Sequence, residues 1–351
     1  MLGAPIVPMP EHVVEAVRRQ QSLRPLRESR GIPALRSALA QMLRDRDHVQ
    51  IDPDTELLVT HGAGHGMSVV LGAFCGSGDE VVVPVPTYFF DGAIARSGAQ
   101  PRYVACRPET GWALDLEAIE NAITPRTRAI IVCNPVNPTG RLHDASEIDA
   151  LVRLAERNGV LLISDESFSH YVYDGPFVAV ASRAADRRHV VTVQSLSKNY
   201  AFADWRVGYV HAAPQLIEAV HRCFEWDAIN VGSVPQAAAL AAITGPQHWI
   251  DSLIAQYQAK RDLMMDLLAS AGLKPVQPGA GAAIFTPLPC PERGRALENL
   301  LLDHGVAALA GSSFHGPDDH VRLLFGGEHA DLIQLGAALE AAVRAEKGTI
   351  S

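Results

Sequence analysis

HVVTVQSLSKNYAFADWRVGYV, residues 189–210, sets side by side an apolar strand pattern, a run of small and hydroxylated residues, one lysine, and a second apolar strand pattern. Lys198 stands just past the first strand, and Arg206 follows eight positions later, just before the second. A lysine becomes a nucleophile toward an aldehyde only when its amine is held close and partly desolvated. Ser195 and Ser197 offer hydroxyls and backbone amides to phosphate oxygens, and the planar guanidinium of Arg206 can take two such oxygens at once. Pyridoxal phosphate carries both the aldehyde and the phosphate that these groups would meet. Taken alone, the stretch reads more readily as surface charges on a loop entering the strand VGYV, so its meaning depends on what surrounds it.

Outward from this stretch, short apolar runs alternate with helical patterns. ELLVTHGAGHGMSVVLGAF gives a strand, a glycine turn and a helix, and DEVVVPVPTYFF and AQPRYVACRP give two more strands. LDLEAIENAI reads as a helix before the buried strand AIIVCNP, and SEIDALVRLAERNG as a helix before VLLISDE. Near-continuous apolar strands separated by helices predict an α/β fold with a mainly parallel sheet covered on both faces. In such a sheet, chemistry gathers at the carboxyl ends of the strands. After Val210 the pattern turns helical, with QHWIDSLIAQYQAKRDLMMDLLASAG long and amphipathic. KPVQPGAGAAIFTPLP, GVAALAGSSF and HVRLLFGG then suggest strands of a smaller α+β domain. The expected division is a large domain over 20–252 and a small one built from the arm 1–19 together with 253–351.

Composition removes several classes of function. At 351 residues, 48% hydrophobic and 20% charged, the chain is that of a folded globular protein with room for about two domains. A net charge of −9 and the lack of a dense basic cluster exclude a nucleic-acid surface. The most basic run, RRQQSLRPLRESR, reads as a solvated helix end and turn. No apolar run reaches membrane-spanning length and no signal peptide opens the chain. The five cysteines (75, 106, 133, 223 and 290) are odd in number and lack CxxC spacing. They suit reduced thiols in the cytoplasm, with neither a disulfide frame nor a metal site.

Other residues fit the same chemistry as Lys198. GAGHG at 62–66, between a strand and a helix, presents Ala63 and Gly64 amides as a phosphate cradle. Tyr88 in VPVPTYFF stands just past a strand end, where its ring could stack on a flat cofactor. CNPVNPTGRL stiffens the backbone after a buried strand and aims the amide of Asn137 at a cofactor ring oxygen or a substrate carboxylate. Asp165 ends the strand of ISDES, where an unpaired carboxylate would be costly and a protonated pyridine nitrogen would satisfy it. Arg322 in HVRLLFGG suits a two-pronged grip on a substrate carboxylate.

GAG, PTY, NPVNPTG, SDES, SLSK with Arg206, and VRLLF occur in the order seen in the class I/II aminotransferases, the fold-type-I pyridoxal phosphate enzymes, which this chain resembles over nearly its whole length. GAPIVPMPEHV at 3–13 resembles that family's substrate-arm segment. The resemblance implies a large domain with a seven-stranded sheet, a smaller α+β domain, a homodimer and pyridoxal 5′-phosphate as cofactor. It implies that Lys198 is the Schiff-base lysine and proton shuttle and that Asp165 pairs with the pyridine nitrogen. It makes Tyr88 the stacking aromatic, Asn137 the amide near the ring oxygen, and Arg322 the α-carboxylate site. Ala63, Gly64, Ser195, Ser197 and Arg206 become the phosphate ligands. Two positions depart from the family pattern: Phe168 stands where a tyrosine usually reaches the ring oxygen, and Leu26 where a tyrosine usually reaches a neighbouring subunit's phosphate. The expected activity is transfer of an α-amino group from an amino acid to a keto acid. The alternatives are elimination, replacement, cyclisation or oxidation on the same cofactor, and, last, a silent ligand-binding module.

Overall fold

The structure is a computed structural model that describes residues 7–20, 28–289 and 292–349. The strands run β1 (Leu57–Thr60), β2 (Glu80–Val85), β3 (Gln100–Ala105), β4 (Thr127–Cys133), β5 (Leu161–Asp165), β6 (Val190–Ser195), β7 (Gly208–Ala212), β8 (Ala283–Pro287), β9 (Leu309–Ala310) and β10 (His320–Leu324). The first seven form one sheet in the order β1-β7-β6-β5-β4-β2-β3, and the last three form a second sheet in the order β8-β10-β9. The fold is therefore α/β with a mainly parallel seven-stranded sheet, as expected. Only β7 runs against its neighbours β1 and β6. Because β1 and β6 are both antiparallel to β7, they are parallel to each other. The carboxyl ends of β1, β2, β4, β5 and β6 and the amino end of β7 thus share one edge.

Burial follows the strand order. Every residue of β2, β6 and β7 is buried, whereas of β3 at the sheet edge only Val104 is. The sequence expectation of an apolar strand at AQPRYVACRP therefore differs from the structure in burial: an edge strand has one neighbour and its outer face meets solvent. Glycine is required where β7 passes the start of the helix Gly62–Phe74, because a Cβ on Gly208 would come within 2.6 Å of the Gln194 carbonyl oxygen and 2.7 Å of the Gly62 carbonyl carbon. That approach brings Thr60, Gly208 and Ser195 abreast in the sheet.

Two cores meet along the helix His248–Ser270. Ile250 is buried with the large sheet and Leu253 with the small one, three residues apart. At the N-terminus, Val7 packs against the smaller core and Val13, in the helix Glu11–Arg19, lies within the larger. Leu26 and residues 1–6 of the arm lie outside the described residues, as does Cys290. Among the described residues no helix is long and apolar enough to cross a membrane.

Candidate active site

Lys198 does not sit on a strand. β6 ends at Ser195, and the chain turns at once into the one-turn helix Leu196–Asn199, which lifts the lysine to the carboxyl edge of the sheet. The lysine is half-buried, and the loss of water pulls its pKa down to about 8, with the positive charges of Arg206 and Arg322 acting in the same direction and Asp165 opposing. A nucleophilic amine at neutral pH needs this environment. The Nζ lies 5.8 Å from the centre of the Phe168 ring.

A cavity of about 510 Å³ opens at this edge, and its walls include Ala63, Gly64, Tyr88, Asn137, Asp165, Ser195, Ser197, Lys198 and Arg206. Nine of the ten residues singled out in the sequence are brought together here. The tenth, Arg322, reaches the same place from the second sheet. It lies on the central strand β10 and is buried. Its Nη1 donates to Asn137 Oδ1 at 3.3 Å. The Arg322 Nε is buried without a hydrogen-bond partner among the described residues. Burial lowers the guanidinium to about 10. It lines a small pocket that adjoins the cavity and shares Asn137 and Phe168 with it. A desolvated guanidinium with one nitrogen left over suits a carboxylate.

Asp165 closes β5, paired in register with Cys133 of β4. Burial raises its pKa, while hydrogen bonds from Ser167 and the charge of Lys198 act against that rise. The Ser167 amide donates to Oδ1 at 3.0 Å, and the Ser167 hydroxyl donates to the same atom. This is the local turn that an aspartate makes with the residue two positions on, so Ser167, absent from the sequence candidates, was recoverable from SDES. A buried carboxylate that resists ionisation calls for a cation opposite it, which a protonated pyridine nitrogen would provide.

The phosphate end is organised by a glycine. GAGHG is not a turn ahead of the helix, as the sequence suggested, but its first turn, beginning at Gly62 with His61 as cap. Gly62 has φ +80°, and a Cβ there would lie 2.7 Å from Arg206 Nη2. The arginine therefore packs directly against the helix start. Its Nη1 donates to Ser197 Oγ at 3.1 Å and to the Ala203 carbonyl at 2.9 Å. Backbone amides, two hydroxyls and a guanidinium converge without a carboxylate among them, which suits a phosphate.

The two Asn-Pro pairs do different work. Asn134 is fully buried, donates to the Val178 carbonyl at 3.0 Å and accepts from the His143 amide at 3.2 Å. It anchors the loop, whose far end is fixed where Asp144 caps the helix Ala145–Asn158 and Glu147 accepts from the Arg141 guanidinium at 2.6 Å. Asn137 is then left to face the cavity. Tyr88 is half-buried in the loop after β2, beside Phe89 and Phe90. Phe89, Phe90, Met67, His65, Arg96 and Cys133 also line the cavity, and no sequence pattern marked them. Of the donors that could replace a phenol at position 168, Tyr173 gives its hydroxyl to the Gly281 carbonyl at 2.5 Å. Tyr171 and His170 do not line the cavity.

These donors fit pyridoxal 5′-phosphate at each end: an anion cradle, a desolvated lysine and a buried acid. Comparison with known proteins agrees. Residues 3–339 match the family described as aminotransferase class I and II. The aspartate/prephenate aminotransferase of Thermus thermophilus is 33% identical over 338 residues, 94% of this chain and 86% of the relative. The arginine–pyruvate transaminase of Pseudomonas aeruginosa is 33% identical over 300 residues, covering 84% and 76%. The crystal structure of the aromatic aminotransferase of Pyrococcus horikoshii superposes with a TM-score of 0.94 at 26% identity, covering 98% of this chain and 95% of that one. The chain belongs to the class I and II aminotransferases, enzymes of fold type I that depend on pyridoxal 5′-phosphate.

Proposed function

We propose that Lys198 anchors the cofactor and carries the proton of a transamination in which Arg322 grips the α-carboxylate of an amino acid. When bound, pyridoxal 5′-phosphate supplies the aldehyde for the linkage and a ring that takes up the electron pair left when the Cα–H bond breaks. Lys198 Nζ, with its pKa near 8, is basic enough to accept the Cα proton and acidic enough to return it. Asp165 holds a proton at the ring nitrogen. Asn137 directs its amide at the ring oxygen, since its Oδ1 is already taken by Arg322. Tyr88 covers one face of the ring. Ala63, Gly64, Ser195, Ser197 and Arg206 bind the phosphate.

The observation that carries this reading is Arg322. It is buried and tied to Asn137, with Nε left over, and it lines a pocket that shares Asn137 and Phe168 with the lysine's cavity. We take the enzyme to be a cytoplasmic homodimer. Support comes from Trp226, 94% exposed, with the exposed Ile229 and Val234 close by in sequence, an apolar rim suited to a second copy. The thiols of Cys75, Cys106, Cys133 and Cys223 are unpaired, as the cytoplasm would keep them. The two sheets are taken as two domains, 20–252 and 253–351 with the arm 1–19, exchanging at the helix His248–Ser270.

The test is a single-turnover spectrum with a panel of amino acids, with and without a keto acid, alongside borohydride reduction and peptide mapping. Conversion that reverses on adding keto acid, with the label on Lys198 and none in Lys198→Ala, is the expected result. A label elsewhere overturns the assignment of Lys198. Ammonia released without need of a keto acid assigns the site to elimination instead.

A further inference from the structure

Arg322 belongs to the second sheet, whereas Lys198 and Tyr88 belong to the first, so contacts between the sheets decide how far apart the carboxylate grip and the cofactor stand. Backbone bonds join Ala280 to Gly140 at 3.1 Å and Gly281 to Tyr171 at 2.8 Å at the β8 side, and two short segments join the sheets at the Arg322 side. One runs over residues 87–91, through Tyr88, to the start of the helix Asp91–Ser97; the other is the 3-10 helix Gly311–Phe314 with its cap His315. Phe314 lies under the Arg322 guanidinium, 4.7 Å from ring centre to carbon. The Thr87 amide donates to the Phe314 carbonyl at 3.2 Å, and the rings of Phe89 and Phe314 stack at 5.0 Å.

Beyond this aromatic stack is a polar group. His315 Nε2 lies 2.8 Å from Asp91 Oδ1. The Tyr103 hydroxyl, from the edge strand β3, donates to the same oxygen. The Tyr103 ring also stacks on His315 at 3.9 Å between centres. One carboxylate, three positions from Tyr88, thus ties to a residue next to Phe314, in a group that remains partly exposed to solvent. His315 holds the left-handed conformation, φ +55°, which turns its ring back toward the first sheet.

We propose that Asp91, Tyr103 and His315 are positioning residues, a clasp that fixes Phe314 and Arg322 relative to Tyr88 and so sets the affinity for the substrate carboxylate. This rests on the reading of Arg322 as the carboxylate site. The direct tie from Arg322 to the first sheet, its bond to Asn137, is long at 3.3 Å. A carboxylate grip needs its two prongs held to within about half an ångström of the productive place. The backbone bonds at Ala280 and Gly281 hold the far side of the second sheet, and the clasp holds the side that carries Phe314 under Arg322.

The experiment uses the cofactor-loaded enzyme and the amino acid that converts fastest among the twenty, and reads half-saturation and limiting rate of the half-reaction. His315→Asn is chosen because asparagine tolerates a positive φ but is too short to reach Asp91. His315→Asn and Asp91→Asn should each raise half-saturation about threefold, the loss expected for one exposed ion-paired hydrogen bond. The limiting rate should stay within about twofold, since only uniform binding is lost. The double variant should be no worse than the worse single one, because both remove one interaction. His315→Gln, which restores a donor, should recover part of the affinity, and Tyr103→Phe, which keeps the stack, should lose less. Thermal unfolding of each variant identifies any that fail to fold, and Tyr103→Phe then carries the test. Additive losses, unchanged half-saturation, or an equal fall in the limiting rate would overturn the clasp. Arg322→Lys is measured beside them. If it weakens amino-acid binding while the clasp variants do not, the clasp alone fails; if it too has no effect, the reading of Arg322 fails and the clasp with it.

Discussion

Phe168→Tyr should lower the pKa at which the absorbance of the bound cofactor changes. A phenol at this place would donate to the ring oxygen, whose negative charge is more localised once the lysine–cofactor linkage has lost its proton. Hydrogen bonding to the charged form favours that form. Phe168 lines the cavity with its ring centre 5.8 Å from Lys198 Nζ, so a hydroxyl on it stands beside the linkage. The neighbouring donors are already committed: the Ser167 hydroxyl to Asp165 and the Tyr173 hydroxyl to the Gly281 carbonyl. Asn137 keeps its amide nitrogen, so the added phenol strengthens an existing donor set rather than starting one. A hydrogen bond to a charged group is worth about 1.5–3 kcal/mol when it is alone. With one donor in place the lower end applies, and at 1.36 kcal/mol per unit that is a fall of roughly one pH unit. The assay is a pH titration of the cofactor absorbance in both proteins, with thermal unfolding as a check that the larger side chain is accommodated. An unchanged or raised pKa in the variant would refute the reasoning and show that another donor already serves the ring oxygen.

Asp165→Ala should keep part of its cofactor, because the phosphate cradle is untouched, yet lose nearly all exchange of the substrate Cα proton in deuterated water; near-normal exchange would make Asp165 structural. Covalent capture of pyridoxal phosphate by the cofactor-free protein should follow the neutral fraction of Lys198. Its pKa is depressed to about 8, so the rate should rise about tenfold per pH unit below that value and level off above it; a rise continuing to pH 10 would mean that the amine is hydrated. Gly62→Ala should weaken cofactor affinity more than it lowers the limiting rate, since a Cβ 2.7 Å from Arg206 Nη2 displaces the guanidinium from the phosphate end; unchanged affinity would show that Arg206 binds elsewhere.

Much of this site was legible because its parts are local. Lys198, Asp165, Asn137 and Tyr88 each follow an apolar strand, and a parallel sheet brings such ends to one edge. Arg206 was legible by its chemistry, but its place comes from the reversal of β7, which puts the start of that strand beside the ends of the others. The contacts between the sheets were not legible. Asn137 and Arg322 are 185 positions apart, and nothing in HVRLLF tells which side of β10 meets the first sheet. Phe314 beneath Arg322 and His315 against Asp91 depend on how the 3-10 helix turns, for which GSSFHG offers no periodicity. Residues of the cavity wall such as Met67 and Phe90 look like core residues, and burial makes no distinction between lining a cavity and filling one.

The adjacent acids of ISDES show how one strand serves two ends. Alternation sends neighbouring side chains to opposite faces, so Asp165 and Glu166 cannot both enter the cavity. Glu166 instead accepts from the Ser164 hydroxyl at 3.0 Å, the Val180 amide at 2.9 Å and the Gln194 amide at 3.2 Å, all buried. Burial pushes its pKa to about 8, with the Asp47 carboxylate adding to the rise. Gln194 Oε1 in turn accepts from Asn199 at 3.3 Å, and Asn199 also donates to Ser169 Oγ at 3.0 Å. The turn that carries Lys198 is thereby bonded to the turn that follows Asp165, through groups that never touch the cavity. A buried polar network stiffens what it joins only when its members are satisfied. Glu166 accepts from three donors spread over both oxygens, whereas both Ser167 bonds to Asp165 fall on one oxygen. The acid with an oxygen to spare is the one that lines the cavity.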